Sequence, residues 1–235
     1  MSKTTRRKFL QNSLVAGTAF TVCGTKSTSG SRANNRLRIA VAGVHGRGGS
    51  HMKGWLEQDN VEIAYLIDPD KNVLAQKMKY LEGKVEGRFA CKGVADVREA
   101  LDDRNLDAIS IATPNHWHSL MTIWAAQAGK HVYVEKPMSH DIGEGRVCVE
   151  AQKKYGVVIQ HGTQRRSSAT NAGLHDLIRS RKFGKMKISY GYCCKPRSGI
   201  GFETPTAPPA NLDWNLWRGP AIIDQYHANY VHYDW

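Results

Sequence analysis

Short apolar runs alternate with helical patterns from residue 37 onward, and this alternation limits the possible folds more than any other feature. The runs that indicate strands are 37–42, 61–67, 88–91, 107–112, 131–135 and 157–161. Helical patterns lie between them at 49–58, 70–81, 94–103, 117–128 and 141–155. Strands and helices at this spacing form right-handed βαβ units. The sequence therefore predicts an α/β fold, with a doubly wound parallel sheet that makes 37–161 a complete domain.

The first 33 residues have the features of an export signal. They contain the pair Arg6-Arg7, a modestly apolar stretch at 14–22 and a small-residue cleavage candidate at 31–33. This order resembles a twin-arginine signal peptide, with an ordinary basic N-terminus as the alternative. The apolar stretch is too short for a stable membrane span. We therefore expect a periplasmic or otherwise exported protein that uses the twin-arginine export machinery.

The net charge does not predict a nucleic-acid partner. The formal charge is +12, but residues 1–36 carry seven Lys and Arg and no acidic residue. The charge that remains on residues 37–235 is spread among 21 acidic residues without a long basic run. This is a weak electrostatic footprint for nucleic acid, and we predict none.

The chain changes in character after residue 161. An amphipathic stretch at 169–181 and a strand-like run at 185–194 precede a segment rich in proline, glycine and aromatic residues. Such a segment indicates long loops packed on another element. The length of 235 residues fits one complete domain and part of a second. We expect 162–235 to be the beginning of an incomplete α+β substrate domain, in a protein truncated at its C-terminus.

A glycine-rich turn follows the first predicted strand, with glycines at Gly43, Gly46, Gly48 and Gly49. In dinucleotide-binding folds, glycines here let the backbone approach the pyrophosphate, whose charge lies on amides at the helix N-terminus. The G-x-G-x-x-G spacing counted from Gly43 puts His45 where the second glycine belongs, so a plain turn is the alternative. The predicted cofactor contacts in this turn are Gly43, His45, Gly46, Arg47 and Gly48.

Asp68 follows the second predicted strand, 25 residues after Gly43. An acid at this point can accept hydrogen bonds from the adenosine ribose hydroxyls, and it repels a 2′-phosphate. We therefore predict NAD as the cofactor, with NADP less favoured. The alternative role for Asp68 is a helix N-cap before Pro69.

Further motifs follow the fourth and fifth predicted strands. They are Thr113-Pro114-Asn115 with His118, and Glu135-Lys136-Pro137, the latter within AGKHVYVEKP. Together with the glycine turn, Asp68, the later QRR and LDWNLWRGPA, they resemble the glucose-fructose oxidoreductase, inositol dehydrogenase and rhizopine-catabolism (Gfo/Idh/MocA) oxidoreductases over essentially 37–235. That family is built on a Rossmann-like domain, so the resemblance implies a Rossmann-like cofactor domain here.

The resemblance also implies roles for individual residues. Thr113, Pro114 and Asn115 would border the nicotinamide ribose, His118 matches the pattern histidine of the cofactor site, and Glu135 and Lys136 would lie beside the nicotinamide and the substrate. A lysine at this place supplies positive charge near a developing alkoxide and can assist proton transfer, so Lys136 is the catalytic candidate, with a solvated surface lysine as the alternative. Gln164 and Arg165 are the substrate-binding candidates, with a charged surface turn as the alternative.

The histidine and cysteine spacings match no zinc-ligand pattern, so we predict no metal. Cys193 and Cys194 lie in the strand-like run, and we expect buried thiols there.

These observations predict an NAD-dependent oxidoreductase that transfers hydride between nicotinamide and a secondary hydroxyl of a sugar or cyclitol. A homo-oligomer is expected where the second domain is complete. One alternative is an NAD-dependent glycosidase that acts by transient oxidation and elimination, and another is a non-catalytic dinucleotide-binding fragment. The acid-base pair that the resemblance implies would lie downstream of residue 235, which leaves the activity of this chain open.

Overall fold

One parallel sheet organises the part of the chain that the computed structural model describes, namely residues 36–231 apart from 86, 88, 195 and 197. The signal predicted at 1–33 lies outside these residues. The strands are β1 (Leu37–Ala42), β2 (Val61–Ile67), β3 (Lys92–Val94), β4 (Ala108–Ile111), β5 (His131–Glu135) and β6 (Ile159–Gly162). They pair in the order β3-β2-β1-β4-β5-β6, and every pairing is parallel. The predicted doubly wound α/β sheet is confirmed.

Helices connect the strands and continue beyond them. They are α1 (Arg47–Leu56), α2 (Lys71–Glu82), α3 (Val97–Leu101), α4 (His118–Gln127), α5 (Ile142–Tyr155), α6 (Ala169–Arg179) and α7 (Trp214–Arg218). Local sequence sets several of their ends. Asp70 caps α2 by accepting hydrogen bonds from the backbone N–H groups of Asn72 and Val73, and α5 ends at Gly156 with a left-handed φ of +67°.

Apolar side chains cover both faces of the sheet. On one face, Met52 of α1 and Leu81 of α2 pack with Val41 and Leu66 in a buried cluster. On the other face, α3 and α4 pack against β4 and β5. A sheet covered on both sides needs strands that are apolar throughout rather than alternating, and residues 39–42 of β1 are all buried.

The connections reverse direction between β1 and β4. The chain runs from β1 outward to β2 and β3, then returns to β4 on the opposite side of β1. In open α/β sheets, ligands bind in the crevice at the carboxyl ends of strands beside such a switch point. The glycine turn follows β1, so it lies at this edge.

The third strand differs from the prediction. The sequence predicts a strand at 88–91, but the ladder with β2 forms over Lys92–Val94. Phe89 and Cys91 are partly buried against the core cluster that contains Leu66. Phe89 and Cys91 are therefore apolar because they pack on the core from a loop. The hydrogen-bonded edge strand β3 starts at Lys92, the residue after the predicted run ends.

The described residues after β6 form α6, α7 and isolated bridges, without a second sheet. The amphipathic stretch at 169–181 contains α6. The strand predicted at 185–194 is wrong, because no described segment pairs with its backbone. Cys193 and Cys194 are exposed, so the expectation of buried thiols is also wrong there. Among the described helices, none has the length and apolar character needed to cross a bilayer.

Candidate functional site

Two glycines in the turn after β1 are required by close packing. Gly43 has a left-handed φ of +77°, and a Cβ there would lie 2.6 Å from the carbonyl oxygen of Ala112. A Cβ at position 48 would overlap the Gly43 carbonyl oxygen. At Gly46, by contrast, a Cβ would meet nothing within 4 Å. The turn is therefore closed underneath by Gly43 and Gly48, and it is open at Gly46, where α1 begins.

Asp68 ties the end of β2 to this turn. Its Oδ2 accepts a hydrogen bond from the Val44 N–H at 3.0 Å, and its Oδ1 accepts one from the Asp70 N–H at 3.0 Å. Burial raises the pKa of Asp68, and these two hydrogen bonds partly oppose the rise. The alternative N-cap role for Asp68 is wrong, because Asp70 caps α2. A carboxylate has about four acceptor positions, so Asp68 retains capacity for a ligand.

The turn after β4 carries Thr113, Pro114 and Asn115, and His118 joins it to the segment after β5. The ring nitrogens of His118 lie 2.6 Å from the Pro137 carbonyl oxygen and 2.8 Å from the Thr113 carbonyl oxygen. The His118 ring is buried, with 1% of its surface exposed. It therefore holds two loops of the edge together. The buried Oγ1 of Thr113 has no hydrogen-bond partner among the described residues.

Glu135 is itself buried and is the centre of a polar cluster. Its Oε1 accepts hydrogen bonds from Arg47 Nε at 2.7 Å, from His51 Nε2 at 3.0 Å and from Gln164 Nε2. Its Oε2 accepts one from the Lys136 N–H at 3.2 Å. The side chains of Glu135, Arg47, His51 and Gln164 are called the Glu135 cluster below. It joins α1, the end of β5 and the first residues after β6.

The protonation states in the Glu135 cluster follow from burial and hydrogen bonding. Burial raises the pKa of Glu135, but the hydrogen bonds from Arg47 and His51 outweigh it, so the pKa lies below its usual value. Burial lowers the pKa of His51 despite the opposing effect of Glu135, so the ring is neutral at pH 7. A carboxylate oxygen only accepts, so we assign the ring proton to Nε2. Nδ1 then accepts from the Ser110 hydroxyl, 2.8 Å away.

The predicted catalytic and substrate-binding residues are in different environments. Lys136 follows the buried Glu135 directly, and its side chain is exposed. Gln164 belongs to the Glu135 cluster, so an amide N–H of its side chain is engaged there. Arg165 is exposed on a short turn, where its carbonyl oxygen accepts a hydrogen bond from Asn171 at 2.6 Å. Gln164 is therefore partly buried in the Glu135 cluster, whereas the Arg165 side chain faces solvent.

A family model decides how this edge should be interpreted. The Gfo/Idh/MocA model, described as an oxidoreductase family with an NAD-binding Rossmann fold, matches residues 37–163. The chain belongs to the Gfo/Idh/MocA family. The matched region contains all six strands, the glycine turn and the Glu135-Lys136 segment.

Proteins similar to this Gfo/Idh/MocA chain carry the names of several different activities. The scyllo-inositol 2-dehydrogenase (NAD(+)) of Bacillus subtilis is 31% identical over 180 residues, which cover 76% of this chain and 48% of that protein. A glycosyl hydrolase family 109 protein of Solibacter usitatus is 32% identical over 154 residues, covering 61% and 35%. The crystal structure of GenD2 from gentamicin A biosynthesis, in complex with NAD, has a TM-score of 0.58 at 26% identity, covering 63% and 40%.

This Gfo/Idh/MocA chain spans about half or less of the length of the curated relatives that it matches. The family model matches residues 37–163, which hold most of the predicted site residues.

The sequence did not predict a role for His51, a member of the Glu135 cluster, or for Ser110, which hydrogen-bonds His51. His51 lies four residues after Arg47 on α1, and residues at that spacing share one helix face. Ser110 is a polar residue in the otherwise apolar β4, with 1% of its surface exposed. Both signals are present in the sequence, but only the fold shows that Ser110 binds His51 and that His51 binds Glu135. Across the described residues, no group of three His, Cys, Asp or Glu side chains is arranged to hold a metal.

Proposed function

We propose that the protein is an NAD-dependent oxidoreductase that transfers hydride between nicotinamide and a secondary hydroxyl of a sugar or cyclitol. One observation carries the proposal. The glycine turn, Asp68 and the Glu135-Lys136 segment follow β1, β2 and β5, so they share the carboxyl edge of the sheet beside its switch point. The NAD in the GenD2 structure and the inositol named in the Bacillus relative support the cofactor and the substrate class.

The residues at this edge fit a dinucleotide. Gly46 and the start of α1 offer open space next to backbone N–H groups, with no side-chain cap from the described residues, and this arrangement suits a pyrophosphate. Asp68 would accept hydrogen bonds from the adenosine ribose, which favours NAD over NADP. The unpaired Thr113 Oγ1 would hydrogen-bond the nicotinamide ribose beside Asn115. His45 and Arg47 would flank the pyrophosphate.

The residues of the chain would orient the substrate and stabilise the negative charge that develops on its oxygen. When bound, NAD supplies the hydride acceptor. The exposed Lys136 ammonium would stabilise the developing alkoxide and, in the reduction direction, donate a proton to that oxygen. In the oxidation direction the neutral Lys136 amine would take the hydroxyl proton. Glu135 would keep Lys136 in place, because its carboxylate accepts hydrogen bonds from three side chains in two other segments and from the Lys136 N–H.

Replacing Lys136 by alanine tests this role. We expect the turnover of NAD with an accepted polyol to fall at least about tenfold, the lower range for proton-transfer assistance. The Kd for NAD should be nearly unchanged, because the predicted pyrophosphate and ribose contacts lie elsewhere. NADH absorbance measures turnover, and calorimetry measures the Kd. Lys153→Ala, which removes an exposed lysine of α5, is the control. An unchanged rate in Lys136→Ala would remove Lys136 from the mechanism.

A second candidate is an NAD-dependent glycosidase that oxidises its substrate transiently and cleaves a glycosidic bond by elimination. The similarity to the Solibacter glycosyl hydrolase family 109 protein favours it. The two candidates differ in their products. Net NADH from free sugars or inositols would support the dehydrogenase, whereas release of an aglycone without net NADH would support the glycosidase. NAD binding without turnover of either kind would support the third alternative, a non-catalytic dinucleotide-binding fragment.

We also propose that the twin-arginine segment exports the protein. If residues 1–36 are fused to a fluorescent reporter in a bacterium with a twin-arginine system, we expect the reporter outside the cytoplasm. Replacing Arg6 and Arg7 by lysine keeps the charge but removes the twin arginine, so the reporter should then stay inside. Fractionation measures the distribution. Equal distribution of the two fusions would contradict the proposal.

A further inference from the structure

Residues 211–219, here called the brace, bind the loop that follows β2. The Asn211 carbonyl oxygen accepts a hydrogen bond from the Lys71 N–H at 2.8 Å, and the Asp213 N–H donates to the Pro69 carbonyl oxygen at 3.0 Å. The Asn211 side-chain amide donates to Asp70 Oδ1 at 2.9 Å. These contacts begin at the residue after Asp68, the predicted ribose ligand. One end of the brace is therefore fixed at the adenosine side of the proposed cofactor site.

The other end of the brace binds the turn that follows β4. Trp117 Nε1 lies 2.9 Å from the Leu216 carbonyl oxygen and 3.1 Å from the Trp217 carbonyl oxygen, and donates to both. Gly219 packs so closely on Trp117 that a Cβ at position 219 would overlap the indole ring. Trp217 is buried, with 8% of its surface exposed. Trp117 lies two residues after Asn115, so this end is fixed beside the predicted nicotinamide-ribose residues.

The brace is short enough to set the distance between these two loops. Strands β2 and β4 lie on either side of β1, and next-but-one strands are about 10 Å apart. The chain between Leu212 and Leu216 advances by four residues, which span at most about 14 Å. Loops held at both ends by so short a segment have little freedom to separate. The carboxyl end of β1, with its glycine turn, lies between them.

We propose that the brace is part of the dinucleotide site and fixes the distance between its adenosine side, at the loop after β2, and its nicotinamide-ribose side, at the turn after β4. In doubly wound folds the dinucleotide lies across the carboxyl ends of these strands, with its ribose acid after β2. Asn211 and Trp117 are then positioning residues, because they hold the loops that would touch the ligand. The cofactor-binding unit extends beyond residues 37–163 to a segment in the second half of the chain. This inference rests on the proposed NAD binding.

Weakening the brace at both ends tests the inference in the full chain. Asn211→Ala removes the amide that binds Asp70, and Trp117→Phe keeps an aromatic ring but removes the N–H that binds the Leu216 and Trp217 carbonyl oxygens. We expect the double variant to raise the Kd for NAD about fivefold to tenfold, since losing a hydrogen bond typically changes an equilibrium by about twofold to tenfold. ADP-ribose, which lacks the nicotinamide, should lose affinity by the same factor. Calorimetry measures both values.

The control and the contradicting results separate this inference from a general loss of structure. Trp124→Phe changes the neighbouring indole, whose ring centre lies 5.8 Å from that of Trp117, and it should leave the Kd for ADP-ribose within about twofold of the wild-type value, below the change expected from a lost hydrogen bond. A double variant that folds and binds ADP-ribose like the wild type would overturn the inference. Wild-type protein that binds neither NAD nor ADP-ribose would contradict the proposed function itself.

Hydrogen exchange of the wild-type protein provides a second test that needs no variant. ADP-ribose is expected to slow amide exchange in residues 211–219 as well as in the loops after β2 and β4. Unchanged exchange in 211–219, with slowed exchange in the two loops, would overturn the inference even if the double variant fails to fold.

Discussion

Gly48→Ala is expected to destabilise the protein by at least about 3 kcal/mol, the upper part of the range for overpacking. The added Cβ would overlap the carbonyl oxygen of Gly43, a backbone atom that can move only if the turn after β1 moves with it. Gly43 itself lies against Ala112 and Thr113 at the end of β4, so little space is left for such a shift. Urea unfolding followed by circular dichroism measures the free energy of unfolding. NAD binding should be lost together with the turn.

Gly54→Ala is the matched control in the same helix. Gly54 lies inside α1, and a Cβ there would meet nothing within 4 Å. Alanine should therefore stabilise the helix by about 1 kcal/mol, the usual difference between the two residues in a helix interior. If Gly48→Ala unfolds at the same urea concentration as the wild type, close packing is not the reason for glycine at position 48.

Glu135→Ala is expected to cost about 3 kcal/mol of unfolding free energy, because it removes the shared acceptor of the Glu135 cluster. The buried His51 Nε2–H would lose its partner, and Gln164 and Arg47 would lose theirs. Arg47 is half-exposed and can be solvated by water, so most of the cost should come from His51 and Gln164. The same urea experiment measures the change.

Glu150→Ala is the control for removing a carboxylate. Glu150 pairs with Lys153 at 3.0 Å on the exposed side of α5, and exposed pairs of this kind contribute about 0.5 kcal/mol or less. The two variants should therefore differ several-fold in cost. Equal losses of unfolding free energy in the two variants would mean that the buried Glu135 carboxylate, with its several donors, stabilises the fold no more than an exposed one.

The sheet could be predicted from the sequence because its signals are local. The apolar runs of β1, β2, β4, β5 and β6 coincide with the observed strands within about two residues, the usual uncertainty of such boundaries. An apolar run fails to predict a strand where its side chains pack on the core but its backbone does not join the sheet. Phe89 and Cys91 are partly buried without joining the ladder. The run at 185–194 has strand-like residues, but among the described residues it has no partner.

The site was predictable only in part, because its contacts join residues that are distant in the sequence. Motif spacing selected Gly43, Gly48 and Asp68, and the structure shows why each residue type is needed there or what it binds. No spacing rule links Glu135 to His51, which precedes it by 84 residues. The engagement of Gln164 by the same carboxylate also depends on how β5 and β6 pair.

The brace gives different parts of the second half of the chain different freedom to change in length. The described residues between 180 and 204 are exposed, and the free energy of closing such a loop grows only with the logarithm of its length. Residues can be gained or lost there without moving the carboxyl edge of the sheet. One residue inserted between Leu212 and Leu216 would instead break the fixed spacing between two loops on either side of the glycine turn. The number of residues is therefore constrained in the brace, whereas it can vary in the exposed stretch before it.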